Sequence, residues 1–234
     1  MAVRGVFFDG GWTLFKPAND DWFVTREFAR LADMDAYAAI PEGRKAAAFD
    51  SALEYLRRHH RLTTEAEELE QFTVFYETVA QALPELGLTR EAADEVARGK
   101  VFNMENYIFF GDAKPTLQAL KGRYRLGVIS DIWPSIRHIL RAGGIDGSFD
   151  TETFSCLLGV RKPDPRMYLD ALGKMGLPAS ETVFIDDFED NLAGAEACGI
   201  RPILIRTCPG AADSGRFCAV DSLSEVPGLL ERLE

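Results

Sequence analysis

The sequence predicts an α/β fold: a parallel sheet core flanked by helices, with an inserted α-helical domain after the first strand. Three observations predict it. From about residue 113 onward, strand-like and helix-like stretches alternate, as parallel strands joined by crossover helices do. The preceding stretch, about 16–108, has helical apolar spacing and no convincing strand. Polar clusters also recur at the ends of apolar runs, and the ends of parallel strands converge on one crevice.

Residues 5–9 read as the first strand, the apolar run Gly5-Val6-Phe7-Phe8 closed by Asp9. Helices are expected over about 20–35, 42–60, 65–83 and 89–105. Trp22, Phe23, Phe28 and Leu31, then Phe49, Leu53 and Leu56, supply the apolar spacing. Breaks at Pro41-Glu42-Gly43, at Thr63-Thr64 and between Pro84 and Thr89 separate them. The alternating part reads as helix 113–121, strand 125–130, helix 134–142, short strand 153–156, helix 164–175, strand 182–186, helix 189–198 and strand 202–206. A short strand candidate and a helix over Val226–Leu233 end the chain. The domains expected are therefore 1–15 with 109–234 as the α/β core, and 16–108 as a helical cap.

Of the 234 residues, 47% are hydrophobic and 27% charged, ample for a globular core. The net charge of -11 disfavours nucleic acid and anionic membranes as partners. An anionic substrate stays compatible, because one lysine or helix N-terminus creates a local positive site. Cysteines 156, 198, 208 and 218 form no C-x-x-C pair, which argues against a zinc site or a disulfide scaffold. No apolar stretch has the length of a membrane span. The start turns acidic at Asp9, too soon for a signal peptide. A cytoplasmic location is expected; the oligomeric state is not legible.

Asp9 is the candidate nucleophile, since a carboxylate can form a covalent intermediate with phosphorus or carbon; a turn or helix-capping acid is the alternative. Gly10 and Gly11 let the backbone approach a ligand closely. Thr13 offers a hydroxyl or a turn cap. Ser130 can present its hydroxyl and free N–H groups to an anion, or Asp131 can simply cap the helix begun near Pro134. Lys162, fixed by Pro163, can neutralise a phosphoryl oxygen or an acidic nucleophile, or lie solvated with Arg161. Asp186-Asp187 ends a buried strand, where adjacent acids need compensation. An oxygen-only site with few protein ligands suits Mg²⁺. Asp190 reads as a helix cap.

Four clusters in this order carry a family resemblance: Asp9-Gly-Gly-Trp-Thr13-Leu14, Ser130-Asp131, Lys162-Pro163, and Asp186-Asp187 followed by Asp190-Asn191. With Gly194-Ala-Glu-Ala-Cys-Gly-Ile200, they resemble the haloacid dehalogenase-like hydrolase superfamily, whose first motif is usually D-x-D-x-T-L. The resemblance implies a Rossmannoid core with a helical cap in the C1 position. It implies that Asp9 attacks phosphorus while Ser130 and Lys162 hold phosphoryl oxygens. It also implies Mg²⁺ on Asp9, the Gly11 carbonyl and Asp186, with Asp187 or Asp190 acting directly or through water. A small phosphorylated molecule is the implied substrate.

One departure shapes the expectation. Family phosphatases carry a second Asp two positions after the nucleophile, as general acid and base; here Gly11 stands there. The carbonyl survives and the carboxyl does not, and acid–base help is typically worth about 10²–10⁴-fold. Either His59, His60 or Glu42 replaces it, or the substrate is an acyl or aryl phosphate with a good leaving group. Trp12 replaces a usual Gly, and Asp131 a usual Asn. Trp12, Asp131, Arg44 and Lys45 are candidate substrate contacts, Lys45 also for a Schiff base in phosphonate chemistry. Dehalogenation, phosphonate cleavage and a ligand-binding role without strong activity are the alternatives to phosphohydrolysis. Asp186-Asp187 stands against dehalogenation, because that branch usually has a serine-rich last motif.

Overall fold

Gly5–Phe8 (β1) is buried along its whole length. It lies at the centre of a six-stranded parallel sheet with Arg125–Ser130 (β4), Thr151–Phe154 (β5), Thr182–Asp186 (β6), Arg201–Ile205 (β7) and Cys218–Val220 (β8), in the order β5-β4-β1-β6-β7-β8. Phe8 pairs with Val128 on one side and Ile185 on the other. The chain builds outward from β1 through β4 to β5, then crosses to β6 on the opposite side. Strand order thus reverses at β1, the position where open α/β sheets form a crevice. The near-continuous apolar runs of β1, β4 and β6 are what a strand covered on both faces requires. Phe7, Ile129 and Phe184 of the sheet pack with Met167, Tyr168 and Leu192 of the flanking helices.

The structure, a computed structural model, describes residues 2–233. Two units emerge from it. One contains the segments up to Lys16, Phe109–Ile132 and Ile139 onward; the other contains Pro17–Ile108 and Trp133–His138. In the sheet unit, Ala113–Leu120 (α6), Ser155–Leu158 (α8), Pro165–Met175 (α9), Glu189–Ala197 (α10) and Val226–Leu233 (α11) connect or follow the strands, while Ile136–Ala142 (α7) begins in the other unit. α9 has the expected punctuation. Asp164 caps it by accepting from Arg166 N–H, Pro165 occupies the first turn, and Gly176 closes it at φ 66°.

The helical unit contains Arg26–Leu31 (α1), Met34–Ala39 (α2), Glu42–Arg58 (α3), Glu65–Ala82 (α4) and Arg90–Phe102 (α5). Its core is aromatic, with Phe28, Phe72, Phe75 and Tyr76 fully buried. Thr64 and Glu67 make a reciprocal capping box at the start of α4. The helix expected over 20–35 is instead α1 and α2. Thr25 caps the first and Asp33 caps the second, each accepting a backbone N–H, while Asp21 ties the loop before them through Phe23 and Val24 N–H. Phe15–Pro17 (β2) and Tyr107–Phe109 (β3) were not expected; three-residue strands are too short to show alternation. Trp133–His138 was expected among core residues but belongs to the helical unit. The Trp133 ring packs 5.1 Å from Phe72, its Nε1–H donates to Gln71 at 2.9 Å, and Ser135 donates twice to Glu68. Among the described residues, no helix is long and apolar enough to cross a membrane.

Candidate active site

The C-terminal ends of β1, β4 and β6 bring Asp9, Ser130 and Asp186 to one edge of the sheet. Lys162, in the loop before α9, completes the group. Its ammonium donates to Asp9 Oδ1 at 2.5 Å, to Asp186 Oδ2 at 2.7 Å and to the Ile129 carbonyl at 3.3 Å. The Lys162 side chain is 2% exposed, those of Asp9 and Asp186 9% and 0%, so this is a buried ion cluster rather than a surface pair. Asp187 joins it: Asp9, Asp186 and Asp187 each place an oxygen within 4.8 Å of the others. Asp186 is oriented further by Phe188 N–H at 2.8 Å and Asn191 Nδ2 at 3.1 Å.

Burial raises the Asp9 carboxyl to about 8; Asp186 and Asp187 reinforce the shift, and Lys162 opposes it. Burial also raises Asp187 to about 7, with Asp186 adding repulsion. Burial pulls the Lys162 ammonium down, but the carboxylates of Asp186, Asp9 and Asp131 overcome it and hold the group above its ordinary value. Three carboxylates against one ammonium leave two negative charges uncompensated when all are ionised. The donors are hard oxygens in a buried cluster. That set fits one divalent cation such as Mg²⁺.

Gly10 is needed for close approach. A Cβ there would lie 2.8 Å from Ser130 Oγ and 3.2 Å from the Phe15 ring. Trp12 adopts φ 56°, a left-handed conformation that costs a bulky residue about 1–3 kcal/mol. Its N–H bonds the Phe15 carbonyl at 2.7 Å, and Thr207 Oγ1 donates to its carbonyl. Gly11 is partly exposed in the same loop. Thr13 is fully buried, and its Oγ1 has no hydrogen-bond partner among the described residues. A turn cap would have used that hydroxyl; an orphan hydroxyl beside the Asp9 loop suits a site that takes a polar ligand.

Asp131 does not cap a helix. Its Oδ1 accepts the Lys162 backbone N–H at 3.0 Å, and Oδ2 lies 3.6 Å from Arg161 Nε, so both fasten the Lys162 loop to the end of β4. Arg161 is thus more than a solvated neighbour. Asp190 does not cap α10 either; it is exposed in the first turn, and Phe188 occupies the cap position. Asn191, to which sequence reasoning assigned no role, makes the contact to Asp186; its place five residues on, one turn into a helix, was the available signal. In the helical unit Arg44 pairs with Glu85 at 2.6 Å, and Lys45 pairs with Glu42 and lies 4.7 Å from the centroid of the Tyr37 ring. His59 Nδ1 lies 2.9 Å from the Tyr55 carbonyl, and His60 is buried.

Gly194 in α10 lets the Lys162-Pro163 loop sit close. A Cβ would meet Pro163 Cβ at 2.7 Å and the Pro163 carbonyl at 3.0 Å. Gly194→Ala is expected to destabilise by about 1–3 kcal/mol, as overpacking does, and to lower activity by moving Lys162. Urea unfolding paired with turnover checks this; unchanged values for both would dismiss the contact.

A model of the haloacid dehalogenase-like hydrolase family matches residues 5–199. A 128-residue stretch is 30% identical to Phosphatase MT3486 of Mycobacterium tuberculosis, covering 52% of this chain and 56% of that protein. A 137-residue stretch is 30% identical to the phospholysine phosphohistidine inorganic pyrophosphate phosphatase of Xenopus laevis, covering 56% of this chain and 47% of that one. The chain spans about half the length of these curated relatives. Among solved structures, a 2-haloacid dehalogenase from Pseudomonas syringae pv. Tomato DC3000 superposes with a TM-score of 0.69 at 25% identity, over 99% of this chain and all of that one. With the match running from the first strand through α10 and covering Asp9, Ser130, Lys162 and Asp186, the chain belongs to the haloacid dehalogenase-like hydrolases.

Proposed function

We propose that this hydrolase is a Mg²⁺-dependent phosphohydrolase that works on a small phosphorylated molecule through a phosphoryl group carried by Asp9. The observation that carries this reading is the buried cluster in which Lys162 bridges Asp9 and Asp186, with Asp187 beside them. An Asp9 oxygen forms a bond to phosphorus as the bond to the leaving oxygen breaks; water then cleaves the aspartyl phosphate, releasing phosphate and restoring the carboxylate. Lys162 neutralises Asp9 and a phosphoryl oxygen, and Ser130 donates to another. Asp9, Asp186, Asp187 and the Gly11 carbonyl would hold Mg²⁺, which supplies charge neutralisation of the phosphoryl group when bound.

With Gly11 in the acid–base position, no carboxyl two residues from Asp9 protonates the leaving oxygen. The substrate then has a leaving group that departs as a weakly basic anion, an aryl or acyl phosphate. Gly11→Asp is expected to raise turnover of an alkyl phosphate by up to about 10²–10⁴-fold, with little change for an aryl phosphate. Equal alkyl and aryl rates in the native chain would refute the leaving-group assignment.

Dehalogenation is the second reading, favoured by the 25% identity to a 2-haloacid dehalogenase and by the lack of an acid at Gly11. Halide leaves without a proton, so that chemistry needs no acid. Phosphate release from an aryl phosphate and halide release from a 2-haloacid, each with Mg²⁺ and with chelator, separate the two. Metal-dependent phosphate release alone supports the proposal; metal-independent halide release alone overturns it.

The raised carboxyls also predict a pH signature. Asp9 and Asp187 titrate near 8 and 7 in the folded chain against an ordinary value of 3.8. The folded state therefore holds more protons than the unfolded state between these values, and stability falls as pH rises through that window. Thermal midpoints of chelator-treated protein should drop from about pH 4 to pH 8, and Mg²⁺ should flatten the slope. A flat metal-free profile would show that the cluster stays compensated without a cation.

A further inference from the structure

A second buried cation lies in the helical unit. Lys100, in the last turn of α5, is 3% exposed. Its ammonium nitrogen is 5.2–5.8 Å from the ring centroids of Trp22, Phe23, Phe72, Tyr107 and Trp133. Ring faces attract a cation, yet an ammonium also carries three N–H donors. Among the described residues no acceptor within hydrogen-bond or ion-pair distance takes them. The carboxylates that act on it from farther away are Glu68 and Asp21, and both are committed. Both oxygens of Glu68 accept from Ser135, and Asp21 Oδ1 accepts the N–H groups of Phe23 and Val24. Burial pushes the Lys100 ammonium down to about 8, with Glu68 and Asp21 opposing the shift.

The cage is held in place. Trp133 Nε1–H donates to Gln71 at 2.9 Å, the Tyr107 hydroxyl donates to the Lys100 carbonyl at 3.0 Å, and the Tyr76 hydroxyl donates to the Phe23 carbonyl at 2.8 Å. Phe72 is fully buried and forms a floor, whereas Trp22, Phe23, Tyr107 and Trp133 remain partly exposed. Five rings around a largely buried ammonium that no carboxylate among the described residues pairs with put a polar anchor inside apolar walls, the composition of a small-molecule site.

We propose that this cage binds the carboxylate of a small organic anion with a flat apolar body, the carboxylate on the Lys100 ammonium and the body against the rings. A carboxylate matches one ammonium in charge. A phosphoryl dianion would carry a second charge into apolar walls where Lys100 is the cation. The proposal is independent of the phosphohydrolase reading, because no residue of the Asp9 cluster takes part.

Trp22 and Trp133 make the site readable by tryptophan fluorescence. Benzoate, phenylacetate and 3-phenylpropionate are titrated into the full chain, into Lys100→Met and into Asp9→Asn, with 2-phenylethanol and inorganic phosphate as controls. At least one of the three carboxylates is expected to give a saturable change in the native chain and in Asp9→Asn, and at least a tenfold weaker one in Lys100→Met. 2-Phenylethanol is expected to give none. No response to any carboxylate, an equal response in Lys100→Met, or equal binding of 2-phenylethanol or phosphate would overturn the proposal. Should Lys100→Met not fold, the thermal midpoint of the native chain decides. A rise with the carboxylate and none with 2-phenylethanol supports the site; equal shifts overturn it.

Discussion

Asp9→Asn is expected to lower turnover by on the order of 10⁴–10⁶-fold, the scale of removing a covalent nucleophile, while leaving the fold at least as stable. An amide is a poor nucleophile toward phosphorus, and no other carboxylate can replace the lost one without moving. Asp186 is fixed by Phe188 N–H, Asn191 and Lys162, and Asp187 belongs to the same crowded cluster, its carboxyl raised by burial and by the neighbouring Asp186 charge. The stability side follows from electrostatics. Asp9 is raised by burial and by repulsion from Asp186 and Asp187, so a neutral amide of the same size relieves a cost that the native chain bears. Two measurements test the pair of claims. Acid quenching during turnover of an aryl phosphate should leave one phosphoryl group on Asp9 of the native chain and none on the variant. Thermal unfolding should show a midpoint equal to or above the native one. Turnover retained within tenfold, with the same Mg²⁺ dependence, would mean that water attacks the substrate directly and that Asp9 only positions it.

Lys162→Met is expected to destabilise the fold by about 3–5 kcal/mol, the cost of removing one partner from a buried ion cluster. The size follows from the setting. A surface pair of the same geometry is worth about 0–1 kcal/mol, but the Lys162 side chain is 2% exposed and serves two carboxylates at once. Without it, Asp9, Asp186 and Asp187 have no counter-charge. They respond by holding protons more firmly still; Asp9 lies near 8 even with Lys162 opposing the rise, so its ionised, nucleophilic form is depleted further at neutral pH. The destabilisation should therefore grow as pH rises from about 4, because raised carboxyls favour the protonated folded state, and turnover should be lost throughout. Urea unfolding at pH 5 and pH 8 is the check. A loss below about 1 kcal/mol at both values would show that the three acids are solvated or separated in solution.

Much of the fold and several site residues are legible in the sequence because their signals are local. Thr182–Asp186 and Arg125–Ser130 are continuous apolar runs ending in a polar residue, and their bounds in the structure match those expected from the sequence. The family motifs resemble their relatives at the positions where chain reversal needs glycine and where the strand ends carry acids. Local signals also mark α9, through Asp164, Pro165 and Gly176. They fail where two competing caps lie close together, as at Thr25 and Asp33, since apolar spacing runs through both short helices without a break.

What the sequence by itself determined is the order of the elements, the family and the residue types at three strand ends and in the Lys162 loop. Only the tertiary structure decided which of those polar groups meet. Asp131 turned from a helix cap into the acceptor for the Lys162 backbone, Asn191, which carried no expectation, became a partner of Asp186, and Lys100 acquired five aromatic neighbours drawn from four separate stretches of chain. The physical reason is that strand and helix patterns depend on neighbours a few positions away, whereas hydrogen bonds and desolvation depend on packing. Packing joins residues as distant in sequence as Asp9 and Lys162, and it alone removes the water that would otherwise have left each of them an ordinary charged side chain.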